Sequence, residues 1–153
     1  IYQVSNTGNE LGAEWLQRTL GSNYKVHVTK SLYSYAHLDS TIIPLREGLV
    51  LYNASRVTED NQPELFKSWD KIWIDECYSA PKKYDVPWAA SAWIGLNLLS
   101  VNPNLAIVDR KQKQLIEELN KHKIEVIPLE LRHDRIISGG FHCVTLDLSR
   151  KAK

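Results

Sequence analysis

The sequence predicts an α/β fold, and three observations point to it. Segments with helical spacing of apolar residues alternate with short segments in which apolar and polar residues alternate. Residues suited to helix ends sit at the borders of the helical segments, as Asn9 and Gly21 do. No linker or low-complexity tract breaks the alternation, so the chain reads as one compact piece.

Taken in order, Ile1-Tyr2-Gln3-Val4 reads as part of a strand. Asn9 is placed to cap a helix from Glu10 to Leu20, which Gly21 terminates. Leu11, Trp15, Leu16 and Leu20 form its apolar face. Tyr24 to Thr29 alternates as a strand, and Gly48 to Tyr52 is a short apolar one. A short helix over Glu64 to Trp69 precedes a strand over Lys71 to Asp75. Ser79 to Val86 is loop-like, and Pro87 suits the first turn of a helix from Trp88 to about Ser100. Its Trp88, Ala89, Ala92, Trp93, Leu96 and Leu99 leave little polar surface, so it is expected to be buried. Asn102-Pro103 ends it. Leu105 to Val108 is a strand, Asp109 caps a helix from Lys111 to His122, and Ile124 to Leu131 is a further strand. The order helix, strand, polar corner thus occurs twice, from Glu10 to His37 and from Lys111 to Cys143, which suggests an internal structural repeat.

Composition narrows the function classes. A net charge of +1 leaves no electrostatic footprint for nucleic acid or an anionic membrane. The apolar runs are too short to span a bilayer. The two cysteines, Cys77 and Cys143, allow neither a disulfide framework nor a four-cysteine metal site, and a reducing cytoplasmic compartment fits. No Gly-rich phosphate loop is present, and no cofactor or metal is expected. The chain lacks methionine even at its first position, which suggests a segment of a longer protein.

The most telling stretch is Ser138-Gly139-Gly140-Phe141-His142-Cys143-Val144-Thr145-Leu146-Asp147-Leu148. Two glycines deliver a cysteine to the head of an alternating, strand-like run. Such a thiol is either a nucleophile on display or a small buried hydrophobe, and local pattern leaves both open. His37 and Asp39 stand two apart, so an extended backbone would turn both to one face, as an acid/base beside an anionic anchor. A solvated loop is the alternative. Arg56, after a strand, is suited to hold a carboxylate bidentately, or is a surface arginine. Ser91 either lines a pocket or bonds its own backbone. His27, His122 and His133 lack such company.

Five motifs carry a resemblance over essentially the whole chain. They are Leu11-Gly12-Ala13-Glu14-Trp15-Leu16, Tyr24-Lys25-Val26-His27, His37-Leu38-Asp39-Ser40-Thr41, Trp88-Ala89-Ala90-Ser91-Ala92-Trp93 and Gly139-Gly140-Phe141-His142-Cys143-Val144-Thr145. In this order they resemble the L-arginine:glycine amidinotransferases and their bacterial relatives in guanidino natural-product and toxin pathways. The resemblance implies that residues 1–153 are the C-terminal portion of one catalytic domain, a five-bladed α/β propeller of ββαβ modules. It implies Cys143 as nucleophile and His37 as acid/base, Asp39 on the guanidinium group, and Arg56 and Ser91 on the α-carboxylate of arginine. It implies transfer of the amidino group of L-arginine to an amine through an amidino-cysteine, with glycine as default acceptor. A larger amine in a bacterial pathway, or hydrolysis of the arginine deiminase kind, are the alternatives. The partners implied are these small molecules, and a homodimer. The family's remaining carboxylates lie upstream of Ile1, so the resemblance implies that this segment alone does not turn over. Ala90 stands where the vertebrate glycine enzyme has serine, which bears on the acceptor.

Overall fold

The computed structural model describes residues 1–33, 38–79 and 91–149. They are α/β, in two compact units, residues 1–73 and 74–153.

The first unit opens with a β-α-β crossover. Strand β1 (Tyr2–Gln3) pairs in parallel with β2 (Val28–Thr29), and helix α1 (Glu10–Leu20) lies between them in sequence. The Asn9 side chain accepts from the Gly12 amide at 2.9 Å, satisfying one of the amides that a helix start leaves without an intrahelical acceptor. Gly21 ends the helix at φ 70°, where a β-carbon would be strained. Both expected borders are therefore met. The apolar face is largely exposed: Leu11 is 70% exposed and Trp15 61%, and only Ala13 of this helix is buried. Periodicity marks an apolar stripe, but what covers it is not encoded in the helix.

Strands β3 (Ile42–Arg46) and β4 (Leu49–Asn53) form an antiparallel hairpin, and β5 (Asp70–Ile74) lies beside β4. All five residues of the central strand β4 are buried. Tyr52, Val50, Ile42, Leu32, Val57 and Phe66 make the core of this unit, with Trp69 and Trp73 packed against it. The expected helix at Glu64 shortens to a 3-10 turn, Glu64–Phe66. Strand β3 carries Pro44 at its middle. Proline is tolerated there because β3 is the edge of the three-stranded sheet.

The second unit contains a ββαβ run. Strands β6 (Leu99–Asn102) and β7 (Leu105–Asp109) form a hairpin, then helix α2 (Lys113–Lys121) leads to β8 (Glu125–Leu129), parallel to β7. Helix α2 packs on β8 and buries Leu115 and Leu119. Each unit thus holds a helix that crosses over between two parallel strands, which agrees with the suggested repeat. A four-residue helix α3 (Asp134–Ile137) follows.

Three expectations in this unit are corrected. Of the helix expected from Trp88 to Ser100, residues 88–90 lie outside the described residues, and the rest is not α-helical. Ala92–Leu96 is a 3-10 turn and Leu99 already begins β6. Gly95 lies so close to Gln112 that a β-carbon would stand 2.1 Å from its Nε2. That side chain is engaged elsewhere, donating to the Tyr78 carbonyl and accepting from the Tyr78 amide at 2.8 and 2.9 Å. Tertiary packing has overridden apolar periodicity. Asp109 does not cap α2; Gln112 takes the N-cap position, while Asp109 shapes the turn before it by accepting from the Lys111 amide. The alternating run after Cys143 is not a strand: Val144, Leu146 and Leu148 are 50%, 81% and 90% exposed. Among the described residues no helix is long and apolar enough to cross a membrane.

Candidate active site

The site residues expected from sequence fall in both units. His37 lies outside the described residues. Asp39, in the first unit, sits in a 3-10 turn, Leu38–Ser40, rather than on an extended segment. The same-face spacing expected of His37 and Asp39 therefore does not apply from Leu38 onward. The turn is closed by the Thr41 amide donating to the Leu38 carbonyl at 2.8 Å.

Asn53, at the end of β4, ties this turn to the next one. It is fully buried; its side-chain amide donates to the Ser40 carbonyl at 3.2 Å, and its carbonyl accepts from the Arg56 amide at 3.0 Å. Arg56 is carried back over the turn by this connection. Its Nη1 donates to Thr41 Oγ1 at 2.7 Å and to Ser40 Oγ at 3.2 Å, and its guanidinium lies 3.6 Å from the Tyr33 ring centroid. The arginine is thus held in a fixed orientation, as bidentate recognition of a planar anion requires. It is not a free surface side chain. Asn53 was missed by sequence reading; the only signal was a polar residue closing an apolar strand.

In the second unit, Ser91 opens the 3-10 turn Ala92–Leu96, its hydroxyl accepting from the Trp93 amide at 3.1 Å. The turn runs on through the Asn97 amide, which donates to Ile94 at 2.9 Å. Cys143 is exposed in this structure, and neither cysteine is disulfide-bonded. Gly139 and Gly140 are buried beneath the corner. A β-carbon on Gly139 would stand 2.7 Å from that of Cys143, so the tight approach requires glycine. The Cys143 amide donates to Asn97 Oδ1 at 3.1 Å and the His142 amide to the Asn97 carbonyl at 3.3 Å. An exposed thiol on a main chain anchored by two hydrogen bonds is suited to nucleophilic attack. Asn97 carried no sequence signal.

Fold and site together define an α/β protein with βαβ crossovers and a glycine-delivered, displayed cysteine. No protein-family model matches the chain. It is 53% identical over 150 residues, 98% of its length, to the inosamine-phosphate amidinotransferase 1 of Streptomyces glaucescens. The chain spans 43% of that relative. The solved inosamine-phosphate amidinotransferase of Streptomyces griseus superposes with a TM-score of 0.90 at 49% identity, over 99% of this chain and 43% of the other. An amidinotransferase of the saxitoxin biosynthetic pathway from Microseira wollei gives a TM-score of 0.82 at 32% identity, over 99% of this chain and 44% of the other. Over nearly its whole length the chain is therefore similar to amidinotransferases, bacterial biosynthetic members among them.

Proposed function

We propose that this chain is the C-terminal portion of an α/β-propeller amidinotransferase, and that the whole protein moves the amidino group of arginine to an amine. The observation that carries the reading is the Cys143 corner, an exposed thiol on an anchored backbone, in a chain related throughout its length to amidinotransferases. The ββαβ run of the second unit supports the propeller reading.

A guanidinium carbon is a poor electrophile because its positive charge is spread over three nitrogens. Carboxylates that pair with its N–H groups fix the carbon for attack, and Asp39 takes that role. The Cys143 thiolate forms a bond to the carbon, the bond from carbon to the ornithine nitrogen breaks, and His37 protonates that nitrogen as it leaves. The acceptor amine, giving its proton back to His37, then forms the new carbon–nitrogen bond as the carbon–sulfur bond breaks. Arg56 and Ser91 receive the α-carboxylate of arginine. Arg56 is suited by its bracing against Thr41 and Ser40, and Ser91 by its place at the head of a turn. No oxyanion develops, so anionic groups around a cationic centre are the electrostatic requirement.

For the acceptor, the relatives favour a larger amine over glycine, and a phosphorylated aminocyclitol is the class we assign. The test is to incubate the whole protein with arginine, alone and with glycine or a phosphorylated aminocyclitol, and quantify ornithine and citrulline. Acceptor-dependent ornithine with the aminocyclitol is expected. Ornithine with glycine alone would overturn the acceptor, and acceptor-independent citrulline would replace transfer with hydrolysis. Cys143→Ala is expected to abolish product, and surviving ornithine release would defeat the nucleophile assignment.

A further inference from the structure

The geometry points to Asn97 as the positioning residue of the cysteine corner, coupling the Ser91 turn to the Cys143 thiol. This deepens the amidinotransferase reading and rests on it. Asn97 is 2% exposed and ends the 3-10 turn that Ser91 begins. Three features of this residue converge on the corner. Its side-chain oxygen accepts from the Cys143 amide at 3.1 Å. Its main-chain oxygen accepts from the His142 amide at 3.3 Å. Its surface fills the space over Gly140, where a β-carbon would stand 2.6 Å from both the Asn97 β-carbon and its carbonyl oxygen.

The residue type follows from these contacts. The corner needs a short side chain with an acceptor two bonds beyond its β-carbon. Asparagine supplies it without a charge. A carboxylate at the same place would set a negative charge beside the thiolate and disfavour it. The Asn97 Nδ2 is buried with no hydrogen-bond partner among the described residues. An unmatched buried donor is costly, and Asn97 carries that cost while its oxygen holds the Cys143 amide. Both bonds run to main-chain amides, so Asn97 governs where the cysteine stands and does not touch the reacting atoms.

The experiment uses the whole protein with Asn97→Ala and Asn97→Asp. It reads steady-state turnover of arginine against pH, and the pH profile of Cys143 alkylation by iodoacetamide followed by peptide mass spectrometry. Asn97→Ala is expected to lower kcat about 10- to 100-fold, because misplacing a reacting group by about 1 Å can cost about 100-fold. The KM for arginine should stay within about twofold. Asn97→Asp keeps the acceptor, so it should recover kcat at high pH, with the acid limb of turnover and alkylation displaced to higher pH. A residue that only supports the fold would not move that limb. Wild-type kcat and alkylation in Asn97→Ala would overturn the proposal, as would equal losses in both variants with an unmoved alkylation profile. If Asn97→Ala does not fold, Gly140→Ala decides, since its β-carbon must displace the same contact; wild-type kcat there also overturns the proposal. If the wild-type protein releases no ornithine, the amidinotransferase reading fails, while the alkylation profiles still decide the role of Asn97.

Discussion

Replacing Tyr52 by phenylalanine is expected to stabilise the protein, although Tyr52 is fully buried at the centre of the first unit. Its ring packs against Trp73 at 4.9 Å and Phe66 at 6.5 Å between centroids, contacts that phenylalanine keeps. Its hydroxyl is buried with no hydrogen-bond partner among the described residues. An unsatisfied buried polar group costs about 1–3 kcal/mol, and the ring vacates little volume when the oxygen goes. The net expectation is a gain of about 1 kcal/mol at neutral pH, read from urea denaturation. Burial, and secondarily the charge of Glu59, pushes the Tyr52 phenol up to about 12. A folded-state value above the unfolded one contributes stability that is complete below pH 10 and lost as pH rises toward 12. Phenylalanine has no such loss, so its advantage over the wild type should widen across that interval. Destabilisation by more than about 1 kcal/mol at pH 7 would mean that the hydroxyl is bonded after all. A constant difference between pH 10 and 12 would show that folding does not raise the Tyr52 phenol above its ordinary value.

Two further predictions concern the ends of the crossovers. Asn9→Ala should cost about 1 kcal/mol by removing the cap on α1, measured as a shift in the denaturation midpoint, and Asn9→Asp should restore most of it. Glu130 accepts from Lys111 at 3.0 Å and pairs with Arg110, and the Lys111 hydrogen bond holds its carboxyl below the usual carboxylate range. Its contribution is therefore present at neutral pH and lost as the solution is acidified through that depressed value. Glu130→Gln should flatten the fall in stability between pH 7 and pH 3; an equally steep fall in both proteins would exclude the role.

Much of the secondary structure was legible because its causes are local. The helix from Glu10 to Leu20 needs only its spacing, the Asn9 side chain and the permissive Gly21 backbone, and all three are read from neighbouring residues. The strands of Gly48 to Tyr52 and Leu105 to Val108 are short apolar runs that burial favours wherever they pair. The Gly-Gly pair before Cys143 was likewise readable, because close approach permits no β-carbon. Where a partner distant in sequence decides, local pattern failed. The tryptophan-rich run around Trp93 has helical periodicity, yet Gln112 packed over Gly95 accompanies a 3-10 turn and a strand instead.

The same division holds for the candidate site. By itself the sequence determined the chemistry on offer: a cysteine after two glycines, a carboxylate, an arginine and a serine in an order that resembles one family. Those are properties of side-chain type and spacing. Only the tertiary structure decided how two of them are held. Asn97 carries no sequence signature and Asn53 only that of a polar residue closing an apolar strand, because their work is done by short polar side chains reaching residues 46 and 13 positions away. Long-range hydrogen bonds of this kind depend on the chain returning to the same place, and that return is set by strand pairing and core packing rather than by any local run of residues.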